Sequence, residues 1–220
     1  MTQKDSYRNE VPAIEEARSR WDGRFSGDEY LFGEQPNDYL ASKQALLPKG
    51  GRALCIADGE GRNSVWLAEQ GLRVDAFDFS PTAVRKAQQL AARRRVAVDL
   101  KVAELFGWDW KASTYDLVAA IFIQFAAPAE RERLFPLIVQ TLKPGGLLVL
   151  QGYRPEQLNY GTGGQPEVDH LYTADLIRTL LRGMQIIELR SYDEAVYEGN
   201  GHSGMSALMG VVARKPLPED

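Results

Sequence analysis

The sequence predicts an α/β fold: a three-layer αβα sandwich on a seven-stranded, mostly parallel sheet with an antiparallel terminal hairpin. Three observations predict it. Short apolar runs alternate five times with segments of helical periodicity. The run over 115–122 is apolar almost throughout, as in a strand covered on both faces. The last two apolar runs, 184–191 and 205–213, follow each other with no helix between them, so they can pair antiparallel at one edge.

Each element has a local reason. Residues 1–10 are polar and expected to be loose, and 12–20 reads as a helix with Pro12 in its first turn. The aromatics and glycines of 21–36 suggest an ordered loop. A helix over 38–47 is capped near Asn37 and ended by Pro48. A strand over 52–57 leads into a glycine loop and a helix over 62–70, stopped by Gly71. The next strand is 73–77. Ser80-Pro81 then supplies a serine cap and a proline at the first helical position. That helix ends at Arg93-Arg94-Arg95, where cations suit the negative end of the dipole. Strands follow at 96–102 and 115–122, a helix at 128–142 containing Pro136, and a turn at Lys143-Pro144-Gly145-Gly146. The fifth strand is 147–150. A long glycine-rich loop over 153–171, a helix over 173–181 and the two final strands complete the chain.

Composition narrows the class. The 220 residues suffice for one domain, read as 1–220, with an N-terminal lid and helices over 1–50 and a core over 51–220. Hydrophobic residues are 44% and charged residues 25%, as in ordinary globular proteins. No window reaches the roughly 20 apolar residues of a membrane span, and Met1–Asp5 lacks an apolar secretion core. One cysteine excludes an internal disulfide, so a cytoplasmic location is expected. A net charge of −4 argues against a large nucleic-acid footprint. One cysteine and two separated histidines cannot form a zinc set, so no metal is expected.

In open α/β sheets ligands bind beyond the carboxyl ends of the strands. Here the first strand ends in Ala57-Asp58-Gly59-Glu60-Gly61, where the glycines let a ligand approach the backbone and the helix start offers free N–H groups. The same loop is equally an ordinary strand-to-helix turn. Asp78, about 20 residues beyond Asp58, stands after the second strand, where an acid can accept from ribose hydroxyls. Phe79 can lie on an adenine, and Glu104, after the third strand, can accept from its amino group. The alternative for each acid is a surface role.

In combination these segments resemble the Rossmann-like S-adenosylmethionine methyltransferases. Residues 53–63 look like their first motif, Val74-Asp75-Ala76-Phe77-Asp78-Phe79-Ser80-Pro81 like their second, and Ala103-Glu104-Leu105 like their third. Tyr115-Asp116-Leu117-Val118 with Leu142-Lys143-Pro144-Gly145-Gly146 is similar to the fourth strand and the turn before the fifth. The resemblance covers about residues 20–214. It implies S-adenosyl-L-methionine as cofactor, bound by Ala57, Asp58, Gly59, Glu60, Gly61, Asn63, Asp78, Phe79, Ser80, Glu104 and Leu105, with Phe122 close to the sulfonium. Two positions depart from the pattern: Cys55 stands where the family has an acid, and Ala57 where it has its first glycine. Asp58 or a backbone carbonyl is then left to hold the cofactor's ammonium, and Ala57 is expected to keep ordinary backbone angles. Residues 20–37 and 198–204 resemble the lid and tail of the tellurite-resistance and thiol methyltransferase branch; in such a lid Arg24 pairs with the cofactor carboxylate, or is a surface arginine.

The resemblance implies a small-molecule methyl acceptor: a thiol, chalcogen oxyanion or similar nucleophile. In-line methyl transfer needs alignment and exclusion of water; an oxygen or nitrogen nucleophile often also needs a base. His202, expected in a loop before the last strand, is the candidate base or substrate contact, with Tyr153 and Gln124 as further candidate contacts and His170 a weaker one. Trp21, Phe25, Tyr30 and Phe32 either close over the site or simply pack. Trp108 and Trp110 are expected to pack against the sheet edge. No nucleic-acid or membrane partner is expected, and the chain is read as a monomer or homodimer. Competing readings are a catalytically silent binding module, motivated by Cys55 and Ala57, and an NAD-dependent oxidoreductase, which would want a glycine where Ser64 stands.

Overall fold

The computed structural model describes residues 3–218, with side chains from Ile14 onward. Strands β1 (Arg52–Ile56), β2 (Arg73–Asp78), β3 (Val98–Val102), β4 (Tyr115–Ile121), β5 (Leu142–Tyr153), β6 (Gln185–Glu198) and β7 (His202–Arg214) form one sheet of order β3-β2-β1-β4-β5-β7-β6. β1 to β5 pair in parallel, β7 runs antiparallel to β5, and β6 antiparallel to β7. This is the predicted architecture, and the order reverses between β1 and β4.

Alternation along β1 builds both layers at once. Leu54 and Ile56 pack with Phe77, Val118, Leu134, Phe135 and Ile138, under helices α5 (Pro128–Thr141) and α6 (Ala174–Leu180). Ala53 and Cys55 face Leu40 and Leu67, from the short α2 (Asp38–Ala41) and from α3 (Arg62–Glu69). Strands covered on both faces have no polar side to show, which is why they read as continuous apolar runs. Helix α4 (Pro81–Arg94) adds a satellite core in which Val65 meets Leu90 and Ala91. Its cap is the expected one: the Ser80 hydroxyl accepts from the Ala83 N–H, with proline at the first position.

The structure corrects several sequence expectations. Helix α1 spans Gln3–Phe25, so Pro12 lies inside it, the expected loose segment over 1–10 is helical from Gln3, and the expected loop begins only after Phe25; residues 1 and 2 lie outside the described chain. The helix expected over 38–47 is α2 followed by a 3-10 turn, Gln44–Leu46. Lys143–Gly146 does not precede β5 but bulges within it: Tyr115 pairs with Leu142 and Leu117 with Leu147, and Gly145 N–H donates to the Lys215 carbonyl. The final hairpin is much longer than expected, and His202 opens β7 rather than sitting in a loop. Trp108 stacks on Phe77 of β2 at 4.7 Å between ring centres, with Lys101 of the edge strand β3 at 5.6 Å from its ring, so it packs on the β2–β3 edge as expected. No helix among the described residues is long and apolar enough to cross a membrane.

One packing point carries a test. Gly61 precedes α3 at φ +91°, and a Cβ there would lie 2.7 Å from the Ala87 Cβ of α4. Gly71 has a similar φ of +87° with open space around it. Urea denaturation should show Gly61→Ala losing about 2–4 kcal/mol and Gly71→Ala only about 1 kcal/mol. Equal losses would mean that backbone conformation, not the α3–α4 contact, fixes the glycine.

Candidate functional site

The chain turns from β1 into α3 within five residues, and both ends of that turn are tethered. The Asp58 N–H donates to the Phe77 carbonyl, extending the ladder to β2. The Asp58 carboxylate accepts from the backbone N–H and the hydroxyl of Ser64, in the first turn of α3. Ala57 is thereby forced to φ +48°, in the left-handed region; the expectation of ordinary angles there is wrong. Burial raises the Asp58 pKa to about 7 despite the Ser64 hydrogen bonds, with the Asp78 charge adding to the rise. A small cavity of about 10 Å³, lined by Cys55, Asp58, Asn63, Ala119 and Ile121 among others, lies beneath the loop.

Asp78 ends β2 and braces the same loop. Its carboxylate accepts from the Gly59 N–H and the Ser80 N–H, both at 2.9 Å, and burial raises its pKa to about 6 against those bonds. Phe79 beside it is half-buried. Glu104 and Leu105 follow β3, as the sequence placed them. Arg18 of α1 spans this edge: its Nη2 meets Glu104 at 2.6 Å and its Nε donates to the Phe79 carbonyl. Asp22 of α1 accepts from the Thr82 N–H and the Ser80 hydroxyl, so α1 lies across the carboxyl ends of β2 and β3.

Two expected cofactor residues are engaged by protein partners. Glu60 turns into a buried ion pair with Lys86, at 2.5 Å, and accepts from the Leu31 N–H. Lys86 also donates to the carbonyls of Gly27 and Glu29, so this pair anchors the loop after α1. Asn63 accepts from the Asn37 N–H and holds the entry to α2. Of the candidate contacts, Gln124 is committed to the backbone: its amide accepts from the Tyr153 N–H and donates to the Tyr153 and His170 carbonyls. His170 in turn bonds the Gln124 carbonyl. Both are structural braces. Arg93 and Arg94 pair with Glu34 and Glu69.

The other half of the site is built on the hairpin. His202 is walled by Phe32 at 4.5 Å, Phe122 at 4.4 Å and Tyr153 at 6.0 Å between ring centres. Phe122, at the end of β4, holds φ +55°, strain of the kind that clusters at functional sites. The Tyr153 hydroxyl is buried, with Ser206 the nearby hydroxyl among the described residues. His202 Nδ1 lies 3.3 Å from the Glu198 carboxylate. Glu198 pairs with Arg62 at 2.7 Å, the two side chains only 6% and 7% exposed, and accepts from the Asn37 amide at 2.8 Å. Burial raises the Glu198 pKa, but the His202 hydrogen bond and the Arg62 charge outweigh that and hold it at about 2. Burial lowers the His202 pKa, partly offset by Glu198, so the imidazole is neutral at neutral pH. The connecting turn packs on the loop after α1: the Gly201 N–H donates to the Leu31 carbonyl, and any side chain at 201 would overlap the Phe32 ring.

Arg24 lies 4.3 Å from the Trp21 ring centre and has no carboxylate partner among the described residues. Trp21, Phe25 and Phe32 form a contiguous ring cluster with it, reaching His202 through Phe32, while Tyr30 instead packs against Lys86 in the α4 core. Glu198, Arg62 and Asn37 were not assigned from sequence. The signal available was the four-residue spacing of Glu198 and His202 across a glycine turn. A larger depression of about 600 Å³, lined by residues such as Arg73, Val74 and Asp99, lies at the amino ends of β2 and β3, opposite the strand ends where such sheets bind ligands. No cluster of three or more metal-ligating side chains occurs among the described residues.

Residues 53–146 match the protein family described as a methyltransferase domain. A carboxy-S-adenosyl-L-methionine synthase of Yersinia pestis (strain Pestoides F) is 34% identical over 82 residues, which is 37% of this chain and 31% of that protein. The matched segment thus spans under a third of that relative's length. Among solved structures, a SAM-dependent methyltransferase from Methanosarcina mazei superposes with TM-score 0.66 at 20% identity, covering 84% of this chain and 100% of that one. TehB from Haemophilus influenzae gives TM-score 0.66 at 13% identity, over 81% and 61% of the two chains. The likeness to methyltransferase domains lies in residues 53–146, and these solved structures, at 20% identity or less, show a Rossmann-like fold. The residues present suit S-adenosyl-L-methionine: a glycine backbone and a buried acid at adjoining strand ends, and an arginine with no carboxylate partner among the described residues.

The charge state of Asp58 gives a stability test. Its folded pKa lies above the unfolded value of 3.8, so the stability it contributes is full below about pH 4 and is lost as pH rises toward 7. Asp58→Asn removes that slope. Thermal melts from about pH 5 to about pH 7.5 should show wild type losing on the order of 1–3 kcal/mol relative to the variant. A constant difference across that range contradicts the buried, proton-bearing carboxylate.

Proposed function

We propose that the chain transfers a methyl group from S-adenosyl-L-methionine to a small-molecule acceptor, a thiol, chalcogen oxyanion or similar nucleophile. One observation carries this reading. The braced turn Ala57–Gly61 and Asp78 at the ends of β1 and β2 stand beside a second set, Phe122, Tyr153 and His202, at the ends of β4, β5 and the start of β7. Arg62 joins the two, since it follows the turn directly and pairs with Glu198 next to His202.

In this reading Gly59 passes the methionine part of the donor, Asp78 holds the ribose, Phe79 and Leu105 flank the adenine with Glu104 near its amino group, and Arg24 meets the carboxylate. Asp58 is turned toward Ser64, so a backbone carbonyl is the favoured holder of the ammonium. The bound sulfonium supplies the methyl group, and Phe122, Tyr153 and His202 wall the space in which the acceptor aligns and water is excluded. The ring cluster of Trp21, Phe25 and Phe32 closes that space from the α1 side. The resemblance of residues 20–37 and 198–204 to the lid and tail of the thiol methyltransferase branch supports a thiol or chalcogen acceptor.

Titration calorimetry with S-adenosylmethionine, S-adenosylhomocysteine and NAD tests the reading. Both adenosyl compounds should bind and NAD should not, and Asp78→Ala should weaken binding by about 1–3 kcal/mol by stranding ribose hydroxyls. Binding of NAD alone, or an unchanged affinity in the variant, would move the site elsewhere.

A further inference from the structure

We infer that Glu198 is a positioning residue that holds His202 as a general base, and that the acceptor therefore arrives carrying its proton, as a hydroxyl or a thiol rather than a preformed oxyanion. The inference rests on the proposed methyl transfer and deepens it by naming the acceptor class.

The chemistry follows from which nitrogen is engaged. Glu198 is fixed on three sides: Arg62 at 2.7 Å, the Asn37 amide at 2.8 Å and the Asp38 N–H at 3.4 Å. A carboxylate so held stays ionised and can only accept, so His202 Nδ1, 3.3 Å away, must carry the hydrogen. In a neutral imidazole the lone pair is then on Nε2. No protein group hydrogen-bonds Nε2 among the described residues, while its surroundings are the rings of Phe32, Phe122 and Tyr153. An oriented, uncharged imidazole with its second nitrogen unengaged in an apolar enclosure is the arrangement a proton acceptor needs. An anionic acceptor has no proton to give and no use for it.

The charged and titratable groups facing His202 come from every element around it: Glu198 on β6, Arg62 on α3, Arg24 on α1 and Tyr153 on β5. The two arginines disfavour an imidazolium and Glu198 favours it. A proton taken by Nε2 is therefore balanced locally by Glu198 and then passes to solvent. In the step, the acceptor's proton moves to Nε2, its freed electron pair forms the bond to the methyl carbon, and the carbon–sulfur pair remains on sulfur.

Nitrogen-15 histidine NMR on the full chain tests this without knowing the acceptor. Only His170 and His202 contribute, and His202→Asn assigns the second. Wild type should show His202 as the neutral Nδ1–H tautomer at neutral pH, and Glu198→Gln should lower its titration midpoint. A His202 that is Nε2-protonated or charged at neutral pH overturns the inference in wild type alone, even if the variant does not fold. So does an unmoved midpoint in a folded Glu198→Gln, or any acceptor turned over equally well by His202→Asn. Calorimetry with S-adenosylhomocysteine on the same samples reads the donor site separately, so loss of one reading leaves the other standing.

Discussion

A single buried carboxylate organises the functional half of this molecule. Glu198 sits at the end of β6 and touches the first residue of α3, the cap of α2 and the first residue of β7. Asn37 carries the network onward: its amide donates to Glu198 and to Gln151 of β5, its side-chain oxygen caps α2, and its backbone N–H donates to Asn63. Gln151 then reaches the Tyr192 hydroxyl on β6. These groups are paired with one another, and a buried polar network whose members are so paired specifies one arrangement rather than weakening the core. Removing one member of a buried ion pair leaves an uncompensated charge, typically a loss of 3–5 kcal/mol. The network thus holds together elements far apart in sequence, with Asn37 and Glu198 separated by 161 residues.

The donor side depends on a different device. There the chain is strained at Ala57 and tied at Asp58, Gly59 and Asp78, so the turn is set before any ligand arrives. The loop after α1 bridges the two halves, anchored to α4 by the Glu60–Lys86 pair and to the hairpin turn by Leu31 and Gly201. Arg62 sits at the junction: it begins α3 directly after the turn, and its guanidinium reaches Glu198.

The sheet was legible because its strands are covered on both faces and its turns carry local chemistry, such as the Ser80-Pro81 cap. The positions of Asp78, Glu104 and the glycine turn were legible for the same reason, since they follow strand ends. The direction each side chain takes was not. Glu60 reads as part of a ligand loop, yet Lys86 claims it from α4, a partner 26 residues away that no local pattern announces. Gln124 reads as a contact after β4 and is claimed by the Tyr153 backbone. Glu198 was missed because its partners come from α2, α3 and β7, and only the fold brings them together. Ala57 misled because its left-handed angle is imposed by tethers on either side rather than by its own preference.

The most direct test of this account is amide hydrogen exchange on wild type and Glu198→Gln. If Glu198 is the hub, exchange should accelerate together in the loop over 30–38 and in the turn over 199–206, while β1, β2 and β4 keep their protection. Acceleration confined to the hairpin turn, or none in either segment, would contradict it.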